Sequence, residues 1–217
     1  MAGFSEAIIT CIQETDLITW IGTVCAVLYV ILALRESVWC WSFGIVSSAL
    51  YVSVYFHEKL WYESLLSVFY VVLGVYGWIQ WAKEKKSIEL TAAVLQNQTQ
   101  PDSKPEVVIS KIPSNTLFIS VSIGVVAGII MGYISNALSE NKFAFMDALL
   151  ASFSVIATWM TAKKYIENWL FWIVIDAAST VLYFFKGPAL YLAALLFIFY
   201  TFMAVAGYFT WRKSLKA

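Results

Sequence analysis

One carboxylate stands in the middle of an apolar run with nothing beside it to neutralise it. Asp176 lies about halfway along NWLFWIVIDAASTVLYFFK, and no basic residue falls between Lys164 and Lys186. An ionisable group at mid-membrane depth is costly and marks a functional site by default. Trp169, Trp172 and Asp176 are spaced i, i+3 and i+7, so they share one helical face, which Ser179 and Tyr183 continue. An earlier run offers a similar strip in Trp41, Ser48 and Tyr51, with Gly44 leaving room beside Trp41. Ser64, Ser67 and Tyr70 add hydroxyls from the next run, and Tyr200 and Thr201 mirror them near the end of the chain. A carboxylate among aromatic faces suits a delocalised organic cation, through charge pairing and cation–π contact. Hydroxyls and indole N–H groups suit a sugar. The combination predicts a binding site for a small, flat, cationic molecule that carries hydroxyls.

The elements that must hold these residues are membrane helices. The chain has 217 residues, 61% of them hydrophobic and 13% charged, with the apolar residues in long blocks. A helix needs about 20 residues to cross the hydrocarbon core. Blocks near 16–34, 39–56, 61–81, 115–136, 144–162, 168–186 and 188–211 meet that need, which predicts an all-α protein of seven transmembrane helices. The polar stretch 82–114, with Pro101, Pro105 and Pro113, reads as a linker. The acidic start (Glu6, Glu14, Asp16) lacks the basic residues of a signal peptide.

The chain repeats itself. Glu36 and Trp41 meet identical residues at Glu167 and Trp172. After a one-residue slip, Leu65, Leu66, Phe69, Tyr70, Gly77 and Trp81 meet Leu195, Leu196, Phe199, Tyr200, Gly207 and Trp211. Internal duplication in a membrane protein points to a transporter whose substrate sits between repeats. With the N-terminus outside, the inner segments carry Arg35, Lys83, Lys85, Lys86, Lys104, Lys111, Lys163, Lys164, Arg212, Lys213 and Lys216, against Lys59, Lys142 and Lys186 outside. The positive-inside rule therefore gives an outer N-terminus and an inner C-terminus. Both three-helix units then start outside and run parallel. The expected organisation is a first repeat at 16–81, a cytoplasmic linker at 82–114, a connecting helix at 115–136 and a second repeat at 144–211.

Several residues have plainer readings. Trp20, Trp61, Trp78, Trp81 and Trp211 near span ends read as interface anchors, and Trp39 fits either role. Asp147 suits a helix N-terminus, and Glu36 and Glu167 suit capping or ion pairs beside Arg35, Lys163 and Lys164. Asp176 itself could bond a neighbouring helix. Gly124, Gly128 and Gly132 form a small-residue stripe that packs the connecting helix either on its own protein or on another protomer. Cys11, Cys25 and Cys40 have no metal-ligand spacing and read as small apolar residues. No HExxH, CxxC, phosphate loop or serine elbow is present, so neither catalysis nor a cofactor or metal is expected. Zero net charge gives nucleic acid no purchase. A non-transporting assembly factor or sensor, its polar strips gluing helices together, is the alternative class. An energy-coupled symporter is weakened because no second buried acid or histidine forms a relay.

The stretch KKYIENWLFWIVIDAASTVLYFFKG (163–187), with ESVWCWSFGIVSSALY, YGWIQW, Asp147 and LLASFSVIATWMTAKK, resembles the PnuC family of vitamin transporters over about residues 16–211. The resemblance implies seven helices in a 3+1+3 arrangement, related to the SWEET sugar transporters but with full-length duplication. It implies a bacterial inner-membrane transporter that imports nicotinamide riboside, an NAD precursor, by facilitated diffusion, with a cytoplasmic kinase trapping the substrate. It also implies a homotrimer in the lipid bilayer. A pyridinium joined to ribose agrees with the ligand inferred from Asp176 and the tryptophans. Ser37 and Ser67 stand where many members of the family carry amides. Relatives of the same fold carry thiamine, also a flat hydroxylated cation, or riboflavin, which is uncharged and gives Asp176 no obvious role.

Overall fold

The computed structural model describes residues 3–57, 61–96, 109–138 and 142–215, and every regular element among them is helical. The helices are α1 (Phe4–Glu14), α2 (Leu17–Leu34), α3 (Cys40–His57), α4 (Trp61–Gln96), α5 (Ser114–Leu138), α6 (Ala144–Ala162), α7 (Asn168–Lys186) and α8 (Tyr191–Ser214), the last preceded by a 3-10 turn at Pro188–Leu190. Six, α2 and α4–α8, contain a stretch long and apolar enough to cross a bilayer. The other long helix, α3, spends much of its length on Ser42, Ser47, Ser48, Ser53, Tyr51 and Tyr55, which dilutes its hydropathy.

Two elements depart from the sequence expectation. α1 has no counterpart in the predicted spans. It is an amphipathic helix that packs on the 3-10 turn and α8, with Phe4 stacked 5.3 Å from Tyr191. α4 runs on as helix to Gln96, well past the expected span end at 81 and into the segment read as linker. Residues 97–108 of that segment, with Pro101, Lys104 and Pro105, lie outside the described residues, as does Lys59. At the other end of the segment, residues 109–113 dock on the turn between α6 and α7. Ser110 N donates to Lys164 O and Ile166 N donates to Ser110 O. Ile112 N donates to Glu167 Oε2 at 3.0 Å, which gives Glu167 its task.

Six helices close a ring in which α2 packs on α3, α3 on α4, α4 on α6, α6 on α7, α7 on α8, and α8 back on α2. α5 stands outside the ring and packs on α6 alone among the described helices. Its glycine stripe is the reason: Gly124, Gly128 and Gly132 face Phe153 and Ile156, Leu149 and Ser152, and Phe145 of α6. The stripe therefore serves a contact within the chain. Large apolar side chains such as Val24, Leu65, Val72, Phe118, Val174 and Phe202 are exposed on the outer surface, as suits helices whose solvent is lipid.

α2 and α6 end in the same turn. Glu36 (φ 57°) and Lys164 (φ 54°) both take the left-handed conformation, which is unfavourable for a residue with a side chain. The hydrogen bonds that follow match one for one. Glu36 N to Ala33 O corresponds to Lys164 N to Thr161 O, and Ser37 N to Leu32 O corresponds to Tyr165 N to Met160 O. Trp41 N to Val38 O corresponds to Trp169 N to Ile166 O. Residues 33–41 and 161–169 are thus equivalent, which corrects the register read from sequence. The counterpart of Trp41 is Trp169, not Trp172, and the counterpart of Asp176 is Ser48.

Trp41 lies against Gly77 of α4, and Trp169 lies against Gly207 of α8. They stack edge-on with Trp81 and Trp211 at 5.6 and 5.3 Å. Trp81 and Trp211 are not interface anchors, since they are 1% and 0% exposed. A Cβ at Gly207 would stand 2.6 Å from the Trp169 ring, and one at Gly77 would overlap Trp41. Gly77→Ala and Gly207→Ala should each destabilise the protein by about 1–3 kcal/mol through overpacking. Gly3→Ala, which meets only Ser5 at 3.9 Å, should have no such effect. Thermal unfolding of the three variants in detergent checks this.

Candidate ligand-binding cavity

The ring encloses a cavity of about 310 Å³ that takes residues from α2, α3, α4, α6, α7 and α8. Its walls are aromatic: Tyr29, Tyr51, Tyr70, Trp169, Trp172, Phe197 and Tyr200. Its polar points are Asp176, Ser47, Ser48, Ser154, Thr161 and Asn168. A smaller lobe of about 150 Å³ shares Tyr29, Ser48, Tyr70 and Trp172, and adds Trp41, Gly44, Gly74 and Thr158.

Each side chain arrives by a simple route. Asp176 and Trp172 face inward from α7 one turn apart, and Ser48 faces them from the equivalent position of α3. Tyr70 on α4 and Tyr200 on α8, aligned in the sequence repeat, both reach the cavity. Trp172 is steered by its edge, since Nε1 points at Thr161 Oγ1 at 3.5 Å. Thr161 in turn lies 3.1 Å from Asn168 Oδ1, and Asn168 Nδ2 donates to Tyr165 O at 2.6 Å. This network sits at the turn between α6 and α7, so the indole is tied to that turn.

Electrostatically the cavity is one-sided. Asp176 is buried, and among the described residues its carboxylate has no ion-pair partner. The nearest cations along the chain are engaged elsewhere. Lys164 pairs with Glu84 at 2.7 Å and lies over the Trp81 ring, and Lys186 pairs with Asp147 at 2.6 Å, tying α6 to α7. Trp41 Nε1, Trp169 Nε1 and the Tyr200 hydroxyl are buried polar atoms that find no hydrogen-bond partner among the described residues. All three belong to cavity-lining side chains. Buried donors are normally satisfied, so a wall carrying three orphans and a lone acid is suited to a ligand with both charge and hydroxyls.

Of the residues expected from sequence, Ser48, Tyr51, Tyr70, Trp169, Trp172, Asp176 and Tyr200 line the central cavity, and Trp41 lines the smaller lobe. Tyr183 lines a separate cavity near α1. Ser179 is buried on α7 between Asp176 and Tyr183 and lines neither. Ser67 turns back onto its own helix and donates to Glu63 O at 2.8 Å, so its hydroxyl is used locally. Ser64 likewise donates to Val52 O. Sequence reasoning missed Tyr29, Thr161, Asn168 and Ser154. Tyr29 could have been found as the one aromatic in the C-terminal half of an aliphatic span. Asn168 could have been found as an amide at a helix start beside the tryptophans.

A ring of lipid-facing helices around a polar, aromatic cavity defines the build of a multi-pass membrane transporter for small molecules. The chain belongs to the nicotinamide mononucleotide transporter family, whose profile matches residues 16–213, and the protein is accordingly a transporter and not an enzyme. Relatives include the nicotinamide riboside transporter PnuC of Escherichia coli K12, 27% identical over 214 residues that span 92% of this chain and 87% of that one. The protein of the same description from Neisseria mucosa is 23% identical over 215 residues, spanning 91% and 74%. A crystal structure of the vitamin B3 transporter PnuC shares the fold, with a TM-score of 0.68 at 20% identity over 98% of this chain and 88% of that one.

The two serines give a direct test of the lining. In a background with Cys11, Cys25 and Cys40 replaced, Ser48→Cys should react quickly with a small water-soluble thiol reagent. Ser67→Cys should react slowly or not at all. Rates of labelling on the purified protein check the assignment, and equal rates would remove Ser48 from the cavity wall.

Proposed function

We propose that this protein imports nicotinamide riboside by facilitated diffusion across a bacterial inner membrane, and that a cytoplasmic kinase traps the product. The observation that carries the substrate is the unpaired Asp176 carboxylate beside Trp172 in a cavity rimmed by tyrosine hydroxyls. A pyridinium supplies the missing charge and a flat face for the indole, and a ribose supplies partners for the hydroxyls and orphaned N–H groups. The cavity volume lies at the small end of the range for small-molecule sites. The descriptions of the relatives agree with this ligand.

The proposed organisation is seven spans in a 3+1+3 order. α2–α4 and α6–α8 form parallel repeats, α5 returns the chain across the membrane, and α3 is the seventh span despite its serines. The matched turns after α2 and α6 support the pairing of the two sets, and the distribution of basic residues supports an outer N-terminus. The exposed apolar face of α5 (Phe118, Ile119, Ile123, Ile130) is available for a trimer contact. Passive transport is supported by the lone buried acid, since coupling to protons ordinarily uses a chain of such groups.

Uptake of labelled nicotinamide riboside into proteoliposomes should equilibrate and should not respond to a proton or sodium gradient. Accumulation above the outside level under an imposed gradient would sink the passive mechanism. A binding panel should rank nicotinamide riboside above thiamine and riboflavin, and the reverse order would replace the substrate.

Trp172→Ala should remove an aromatic face worth on the order of 1–2 kcal/mol, roughly tenfold or more in Kd, while leaving the fold intact. Asp176→Asn keeps shape and one acceptor but removes the charge. It should weaken the cationic riboside more than its uncharged, reduced form. Equal weakening of both ligands would show that the carboxylate holds helices together and does not read charge. Titration of each variant with both ligands checks the pair of expectations.

A further inference from the structure

We propose that the protein has a second, weaker binding site for flat organic cations, in the cavity beneath α1, where substrate is held before it passes Tyr51 into the central cavity. This inference rests on the transport reading above, and the experiment below separates the two.

The cavity has a volume of about 620 Å³, larger than the central one. It lies between the α1–α2 corner, α3, the outer end of α7 and the start of α8. Its aromatic walls are Trp20, Tyr51, Tyr55 and Tyr183. Tyr51 and Tyr55 are stacked, with centroids 5.7 Å apart and planes 20° from parallel, so they present a continuous π surface one turn long. A delocalised cation binds such a surface through the ring quadrupoles.

The charges agree with that class of ligand. Glu14, the last residue of α1, is exposed and lines the cavity, and it makes no ion pair among the described residues. Asp16 is occupied as the N-cap of α2, accepting from Thr19 N at 2.6 Å and from Thr19 Oγ1 at 3.1 Å. Lys186, which lies over the Tyr183 ring at 5.3 Å, is neutralised by Asp147. The mouth therefore offers an unpaired carboxylate facing aromatic rings, the same pairing of groups as Asp176 with Trp172 deeper in.

The two cavities have one lining residue in common, Tyr51. Its hydroxyl is 2.8 Å from Thr23 Oγ1 across the α2–α3 contact, and its ring packs over Gly22. A molecule resting on Tyr55 is thus one ring away from the central site. α1 is what closes this space. It is held by Phe4 against Tyr191 and Phe184 and by Cys11 Sγ, which donates to Ala189 O at 3.4 Å. Without α1 the cavity would lose Glu14 and one of its walls.

The test is equilibrium binding to the full-length protein in lipid nanodiscs, with nicotinamide riboside and with 1-methylnicotinamide as a bare flat cation. Wild type should show two classes of site for the riboside. Tyr55→Ala and Glu14→Gln should each weaken the weaker class by roughly three- to tenfold and leave the tighter class unchanged. Trp172→Ala should do the reverse. The weaker class should fade with added salt, because Glu14 is exposed. 1-Methylnicotinamide should occupy the weaker class with the same dependence on Tyr55. A single class in wild type, or a second class indifferent to both Tyr55→Ala and Glu14→Gln, would overturn the outer site while leaving the central one standing. A Tyr55-dependent class for 1-methylnicotinamide in a protein that neither binds the riboside at Trp172 nor transports it would keep the outer site and overturn the substrate reading.

Discussion

The structure depends on a reciprocal pair of indole hydrogen bonds. Trp81 Nε1 on α4 donates to Ala162 O at the end of α6, at 3.2 Å, and Trp211 Nε1 on α8 donates to Ala33 O at the end of α2, at 3.3 Å. One bond joins α4 to α6 and the other joins α8 to α2. The last carbonyls of a helix lack intrahelical partners, and Trp81 fills that role for Ala162 O, whereas Ala33 O also accepts from Glu36 N. The left-handed residues at Glu36 and Lys164 stop α2 and α6 abruptly, and the two indoles then reach across to the helix ends. Trp41 and Trp169 complete a contiguous group with them, the inner pair lying 6.1 Å apart. Because the group includes Trp169 and abuts the Thr161–Asn168 network, it also closes the inner end of the cavity and fixes the plane of Trp172.

Membrane solvent explains why the assembly takes this form. Lipid gives no hydrophobic drive between helices, so close packing and interhelical hydrogen bonds must serve instead. The glycines are placed for this purpose: Gly77 and Gly207 admit tryptophan rings, and the stripe on α5 admits the side chains of α6. Serines act in the same way. Ser47 donates to Gly22 O between α3 and α2, and Ser152 lies 2.9 Å from Gly124 O between α6 and α5. Some of these bonded groups also reach the cavity wall. Ser47 does both at once, since it clamps α2 and lines the cavity beside Ser48.

Only part of this arrangement could be read from sequence. Six of the seven expected spans and the isolated acid were legible, because hydropathy and the absence of nearby charge are one-dimensional properties. The connection of Asp176 with Trp172 was legible, because helical spacing alone puts them on one face. The role of Ser67 was not, since a serine can bond its own turn or face a cavity at the same register position. The burial of Trp81 and Trp211 was not legible either, because a tryptophan near a span end looks the same whether it meets headgroups or another helix. The repeat register was misread by three residues at its most informative point. The sequence reading matched Glu36 and Trp41 to Glu167 and Trp172, whereas the backbone pairs left-handed Glu36 with left-handed Lys164, a register that also matches Trp41, Phe43, Ile45, Val46, Ala49, Tyr55 and Phe56 with the identical Trp169, Phe171, Ile173, Val174, Ala177, Tyr183 and Phe184. α1 escaped notice because it is too short and too polar to register as a span.

The corrected register shows how a nearly symmetric frame makes an asymmetric site. Equivalent positions in the two halves carry Trp41 and Trp169, Tyr70 and Tyr200, so the frame around the cavity is matched. The positions that face the centre are not matched. Gly44 stands opposite Trp172, Ser48 opposite Asp176, Ala26 opposite Ser154, and Ala33 opposite Thr161. In each pair the second half holds the larger or more polar group. The wall on the α7 side therefore differs from the wall on the α3 side. The unmatched side chains also serve helix contacts, since Thr161 bonds Asn168 and Trp172 of α7 and Gly44 admits the Tyr29 ring of α2. The cavity is thus asymmetric although the tryptophan group beside it is nearly matched.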